Sequence, residues 1–372
     1  MITPQLEKDL NYSFEKLSEV EREKFSEATI LITGSAGSIG FYLVHFFYHF
    51  KDELNLKKVI CLDNFLLGEP KWQEKISAND RFIFKKFDII HDEIEKIPEA
   101  ADANFVIHMA SIASPMFYRK YPIETIDANI WGLRRLFDFY KEKNLSGFLF
   151  FSSSEIYGDP APEEIPTAED YNGNVSCTGP RACYDESKRF GETMCRLFAQ
   201  KYKMPVGVVR PFNTYGSGMK INDKRVVADF AKNIFEGKDI EILSSGAPMR
   251  TFCYIADAVP GYLKVLLHGE YDYFNVGMDK PEISITKLAE IYQRAGQKIF
   301  NYAGKINYAT SEDKDYLTHN PQRRCPNIDK AKNILNYNPE ILVEEGVERF
   351  LQFIKENSAQ LYMGGGIENI QW

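Results

Sequence analysis

The stretch ILITGSAGSIGFYLVHFF, residues 30–47, is an apolar run that breaks into three glycines and then resumes. A buried strand followed by a helix accounts for its two ends. Gly34, Gly37 and Gly40 between them cost conformational entropy, so their spacing implies a group that must approach the backbone closely. A strand–glycine turn–helix presents backbone N–H groups and a helix N-terminus to a pyrophosphate. Glycine trios also occur in plain tight turns, so the residues downstream must decide between the two. Asp63 ends the next predicted strand, KKVICLDN, 23 residues beyond Gly40. A carboxylate there accepts hydrogen bonds from the adenosine ribose hydroxyls and repels a 2′-phosphate, which favours NAD over NADP. Asp88, in KKFDII at the end of a third strand, is placed either to meet the adenine or to cap the strand end.

Outward from this stretch the chain alternates strands and helices. ATILITG, KKVICLDN, RFIFKKFDI, NFVIHMA, GFLFFSSS and PVGVVRPFN read as strands; SIGFYLVHFFYHF, IDANIWGLRRLFDFYKEK and YDESKRFGETMCRLFAQKY read as helices. That order predicts an α/β fold: a Rossmann-type, doubly wound parallel sheet over 28–209. A smaller mixed α/β substrate lobe is expected over 210–357, with segments interleaved with the first. Leu6, Leu10, Phe14, Leu17 and Val20 fall near helical spacing and predict one amphipathic helix over 5–26, within an N-terminal extension of 1–27. The glycine-rich residues 358–372 read as a mobile tail.

Bulk properties bound the function. With 372 residues, 44% of them hydrophobic, the chain can build a substantial core. A net charge of −8 gives no footprint for nucleic acid or for an anionic membrane surface. The longest apolar stretch, near 41–50, contains His45 and His49 and is too short to span a bilayer. MITPQLEKDL carries neither the charged start nor the apolar core of a signal peptide. Cys61, Cys177, Cys183, Cys195, Cys253 and Cys325 are scattered without a CxxC pair, so reduced thiols and a cytoplasmic location are expected. No His, Cys or acidic cluster has metal-ligand spacing, and no metal is expected. His108, at the end of a strand in VIHMAS, reads as a packed or backbone-bonded histidine.

Tyr184 and Lys188, in CYDESKR, lie four apart on a predicted helix and share a face. An ammonium beside a phenol stabilises phenolate, so the tyrosine can act as a base. Upstream, FFSSSEIYG ends a strand; its Ser153 can hydrogen-bond the same substrate hydroxyl, and Glu155 points into the same cleft. The helices that begin at Ile126 and Tyr184 carry apolar positions on more than one face. That predicts a homodimer built on them.

The glycine fingerprint, the Tyr-x-x-x-Lys pair and SSSEIYG together resemble the extended short-chain dehydrogenase/reductase superfamily of nucleotide-sugar epimerases, dehydratases and decarboxylases. HMASIASPMFYRKYPIETIDANIWG, GPRACYDESKRFGETM, RPFNTYGSGMKINDKRVVADF, MRTFCYIADAV and RRCPNIDKAKNILNYNPEILVEEGV are similar to its UDP-glucuronate decarboxylase branch over roughly residues 28–356. The resemblance implies NAD held by Gly34, Gly37, Ser38, Ile39, Gly40, Asp63, Asn64, Asp88, Ile89, Ala110, Ser111, Tyr184 and Lys188. It implies catalysis by Ser153, Glu155, Tyr184 and Lys188, and a nucleotide-sugar, expected to be UDP-linked, bound by Tyr118, Asn213, Arg225, Arg250 and Tyr316. The implied reaction is decarboxylation of a UDP-uronic acid through oxidation at C4, with 4,6-dehydration or 4-epimerisation as the alternatives and a non-catalytic NAD sensor as a distant third. Where TDP-glucose-type dehydratases carry Asp-Glu, this chain has Ser154-Glu155, and serine is a poor general acid. Ser217-Gly218-Met219 stands where the family has Pro-Arg-Met, Lys224 where it has glycine in Asp-Gly-Arg, and Ile112 where it has proline.

Overall fold

The computed structural model describes residues 2–66, 68–311, 318 and 320–362, with side chains through 358. Tyr316 and residues 363–372 lie outside the described residues, while 358–362 of the expected tail continue the last helix.

Seven parallel strands form the central sheet: β1 (Thr29–Thr33), β2 (Lys58–Asp63), β3 (Phe82–Lys86), β4 (Phe105–His108), β5 (Gly147–Phe151), β6 (Val206–Pro211) and β7 (Asp272–Val276). Their order is β7-β6-β5-β4-β1-β2-β3. The central strands β1, β4 and β5 are buried on both faces, which is why they read as continuous apolar runs rather than alternating ones. The alternation is instead between two cores. Ile30, Ile32, Leu149 and Phe151 point into one cluster, and Leu31, Phe148 and Phe150 into the other.

Helices cover both faces. Helix α2 (Ser38–His49) and helix α6 (Ile255–Leu267) pack on the first core; helix α3 (Leu133–Tyr140) and helix α4 (Ala182–Tyr202) pack on the second. The chain beyond residue 210 returns to this sheet through α6 and β7. Its remaining part builds a smaller layer from helix α5 (Val226–Glu236), helix α7 (Ile285–Phe300), helix α8 (Val343–Tyr362) and short strand pairs such as Ile240–Ile242 with Ile306–Tyr308.

The single N-terminal helix expected over 5–26 is two helices, α1 (Pro4–Glu15) and a short one at Glu19–Glu23. Ser18 and Glu21 form a reciprocal capping box that starts the second, so the break is written locally. Leu6, Leu10 and Leu17 pack into the first core. The fully buried Asp9 accepts from Tyr254 Oη at 2.6 Å, Ser217 Oγ at 2.8 Å and Arg349 Nη1 at 3.0 Å, which ties α1 to the substrate-side layer.

The strand order reverses between β1 and β4, and ligands of such sheets bind in the crevice beyond the strand ends at that point. No described helix is long and apolar enough to cross a membrane.

Candidate active site

The crevice opens into one cavity of about 1550 Å³. Every residue the sequence picks out for the cofactor, the chemistry and the substrate lines it, except Tyr316, which is not described.

At the cofactor end, Gly34 leaves β1 with φ +75 and donates its N–H to Leu62 O at 2.8 Å. A Cβ there would sit 2.8 Å from Ala110 N, and one on Gly40 would sit 2.5 Å from Gly34 O. Glycine is therefore required by the close approach of the β1 and β4 turns as well as by the dihedral angle. Gly37 caps α2, so the helix N-terminus faces the cavity with no side-chain cap of its own. Among the described residues the buried Ser111 Oγ has no hydrogen-bond partner. An uncapped helix end, a glycine cradle and an orphaned hydroxyl are what a dinucleotide's pyrophosphate and ribose would satisfy, and the residues present fit NAD.

Asp63 does more than the sequence indicates. One carboxylate oxygen accepts from Ala36 N at 2.9 Å and the other from Phe65 N at 2.8 Å, so it also fastens the glycine turn. Burial pushes its carboxyl up, against those N–H donors and Lys220. Asp63→Ala should weaken NAD retention by about tenfold, the loss of a charged hydrogen bond, and relax discrimination against NADP. Titration of both cofactors into the two proteins checks this; equal affinity of the unmodified protein for NAD and NADP would contradict it. Asp88 accepts from Ile90 N at 2.8 Å and Asn64 from Leu66 N at 3.0 Å, so both also close local turns. His108 is buried and pairs through Nδ1 with Thr33 Oγ1 at 2.8 Å.

At the centre, Tyr184 and Lys188 project from the first turns of α4. Burial raises the Tyr184 phenol to about 12, and its hydrogen bond with Ser153 pulls the other way. Lys188 Nζ lies 5.7 Å from the tyrosine ring centroid and donates to Phe151 O at 2.7 Å. Its ammonium is desolvated and pushed down to about 7. Burial thus outweighs the Ser153 hydrogen bond and the Arg225 charge that favour phenolate, and the expected lowering of the phenol is not seen in the protein alone. Tyr118 stacks on Tyr184, centroids 5.0 Å apart and planes 12° from parallel, and its buried hydroxyl has no partner among the described residues.

Glu155 has partners that its sequence neighbours do not announce. Its carboxylate is gripped by two guanidinia: Arg181 on one oxygen, and Arg324 bidentate at 2.5 and 2.6 Å. Desolvation alone would raise this carboxyl, but the two cations hold it well below the usual carboxylate range. Arg250 lies in the same group and donates to the carbonyls of Met249 at 2.7 Å, Pro321 at 2.5 Å and Gln322 at 3.1 Å. Burial, then the neighbouring Arg324 and Arg181 charges, push it down to about 9. Arg225 forks onto Asp223, and Asn213 donates to Thr251 O at 2.8 Å.

Behind the strand end, Ser152 Oγ donates to Glu192 at 2.5 Å and Arg210 binds both oxygens of Glu192 at 2.9 and 2.6 Å. The sequence alone does not single out Arg181, Arg324, Glu192 or Arg210. Arg181 and Arg324 lie in GPRACYDESKR and RRCPNIDK, and carry no motif of their own.

Comparison with known proteins agrees with this geometry. The model of the NAD dependent epimerase/dehydratase family matches residues 30–277. UDP-glucuronic acid decarboxylase 1 of Xenopus tropicalis is 33% identical over 342 residues, covering 91% of this chain and 74% of that protein. UDP-glucuronic acid decarboxylase 3 of Arabidopsis thaliana is 32% identical over 332 residues, covering 89% and 90%. Among solved structures, UDP-glucuronic acid 4-epimerase of Bacillus cereus, in complex with UDP-glucuronic acid and NAD, superposes with a TM-score of 0.72 at 23% identity, covering 88% of this chain and 99% of that one.

Proposed function

This chain belongs to the NAD dependent epimerase/dehydratase family, and within it we propose that it is a decarboxylase of a nucleotide-linked uronic acid, of the UDP-glucuronate type. The observation that carries this reading is the charge at the sugar end of the cavity. Arg181, Arg250 and Arg324 gather around the Glu155 carboxylate, and burial, followed by repulsion from Arg324 and Arg181, already weakens Arg250. A substrate carboxylate would supply the missing negative charge, whereas a neutral hexose would not.

NAD, when bound, supplies the oxidant that takes hydride from C4 of the sugar and later returns it. Gly34, Gly37, Gly40, Asp63, Ala110 and Ser111 would hold it. Tyr184 accepts the proton of the C4 hydroxyl, with Ser153 hydrogen-bonded to both partners. Lys188, in its ammonium form, favours the phenolate that receives that proton. Oxidation makes the C6 carboxylate a β-keto acid. The C5–C6 bond then breaks, CO2 leaves, and the bonding pair enters the C4–C5 enolate. C5 takes a proton from water ordered beside Glu155 and its arginines, because a carboxyl held this low has no proton to give near neutral pH. Tyr184 finally returns its proton to the C4 oxygen. Incubation with a panel of UDP-sugars, followed by mass spectrometry, tests the assignment. The expected result is a product lighter by one CO2 from UDP-glucuronic acid alone.

We also propose a homodimer. Ile123 and Trp131 on the Pro122–Gly132 segment, and Phe190 and Leu197 on the adjacent α4, are each at least half exposed. A second copy would cover this apolar face. Light scattering at micromolar concentration should give the dimer mass, and Phe190→Glu should shift it toward the monomer by weakening association at least tenfold; a monomeric unmodified protein would contradict the assignment. The six free thiols support a reducing, cytoplasmic setting.

A further inference from the structure

Asp185 lies one residue beyond Tyr184 and takes no part in the chemistry above, yet it is 5% exposed and carries a carboxylate. One oxygen, Oδ2, is 3.6 Å from Arg181 Nε, and the same guanidinium donates through Nη2 to Glu155. The other, Oδ1, is buried without a hydrogen-bond partner among the described residues. Asp185 and Arg181 also line a second, smaller cavity of about 260 Å³, with Asp159, Asn174, Ser176 and Gly179. This cavity gives Asp185 its own polar surroundings, apart from the sugar end of the main one. We propose that Asp185 is a specificity-determining positioning residue: by gaining or losing a proton it sets the net charge of the Arg181–Glu155–Arg324–Arg250 group and so the preference for a carboxylated sugar. This rests on the uronate reading given above.

The charged groups around Asp185 are few. Burial opposes its ionisation most, and Glu155 from the β5 end adds to that, raising it to about 7; Arg181, the residue just before its helix, and Arg324 favour the carboxylate. Tyr184, Tyr118 and Cys183 feel its charge, and all three are neutral phenols or a thiol pushed up by burial. With Asp185 protonated, three guanidinia face one carboxylate and the group carries two surplus positive charges. With Asp185 ionised the surplus is one, and Arg181 is shared. Affinity for a uronate is therefore highest below about pH 7 and falls as the pH rises through it.

The test uses NAD-loaded protein in a Tyr184→Phe background, where turnover is slowed at least about a hundredfold, and measures binding of UDP-glucuronic acid and UDP-glucose from about pH 5.5 to about 8.5. The uronate should lose about tenfold in affinity across this range, the size of one charge acting at about 10 Å through an effective dielectric of about 20. UDP-glucose should show no matching loss. Asp185→Asn should bind the uronate tightly and without that slope, and Asp159→Asn, on the same small cavity, should keep it. If Asp185→Asn does not fold, the infrared band of a protonated carboxyl in the otherwise unchanged protein should fade near pH 7. A slope that persists in Asp185→Asn, equal slopes for both sugars, or no such band would overturn the inference. Failure of UDP-glucuronic acid to bind at any pH, with UDP-glucose bound, would instead overturn the uronate reading.

Discussion

Replacing Tyr184 by phenylalanine is expected to lower turnover by at least about a hundredfold while leaving the fold in place, the usual size of a lost general base. The ring is held by stacking on Tyr118, which phenylalanine preserves, and only the hydroxyl facing Ser153 is lost. In the proposed mechanism that hydroxyl takes the C4 proton. Because burial holds the phenol near 12 in the protein alone, its use as a base depends on Lys188 remaining charged. The depressed lysine keeps its proton only below about pH 7 unless a bound anion or ribose raises it. Steady-state rates with circular dichroism as a fold control check the prediction; a normal rate would remove Tyr184 from the chemistry.

Glu155→Gln should behave differently, and its effect should be nearly as large. In the proposed mechanism oxidation at C4 needs only Ser153, Tyr184 and Lys188, so single-turnover absorbance in the reduced-nicotinamide band should rise and persist. Product formation should fall by about a hundredfold, because the water beside C5 loses its anchoring carboxylate. The variant should also be less stable, since removing one partner of a buried ion pair costs about 3–5 kcal/mol. Its pH dependence carries a clear sign. The folded Glu155 carboxyl is held down from its usual 4.5 to about 2, so its contribution is present above about pH 4.5 and is lost as pH falls toward 2. Glu155→Gln should flatten that acid limb in thermal unfolding. Full activity in the variant would show that Glu155 only stabilises the strand end.

Local spacing made the cofactor end legible. Gly34, Gly37 and Gly40 must meet a strict geometric demand within a few residues, and Asp63 and the Tyr184–Lys188 pair sit at offsets set by one strand or one helical turn. The break at Ser18 was equally local, since Ser18 and Glu21 spell a capping box; the longer apolar periodicity hid it. What stayed hidden was long-range. Arg324 reaches Glu155 only because Arg323–Arg324 pairs as a strand with Met249–Arg250, a register that no nearby residue announces. Asp185 looks like an ordinary helix carboxylate until burial and Glu155 raise it. The segment Asp272–Val276 is a strand of the main sheet, yet Asp272 and Asn275 dilute its apolar pattern; Asn275 is buried there because Thr167, Asn327, Tyr157 and Glu169 satisfy its amide and backbone.

The central claim, that the arginine-rich end of the cavity receives a uronate and the enzyme removes its carboxyl group, is tested most directly by carbon release. NAD-loaded protein is given UDP-glucuronic acid labelled at C6, and the gas phase is counted alongside the nucleotide products. The prediction is one labelled CO2 for each UDP-pentose formed, with no net consumption of NAD. Retention of the label, together with conversion of UDP-glucose to a 4-keto-6-deoxy sugar, would contradict it.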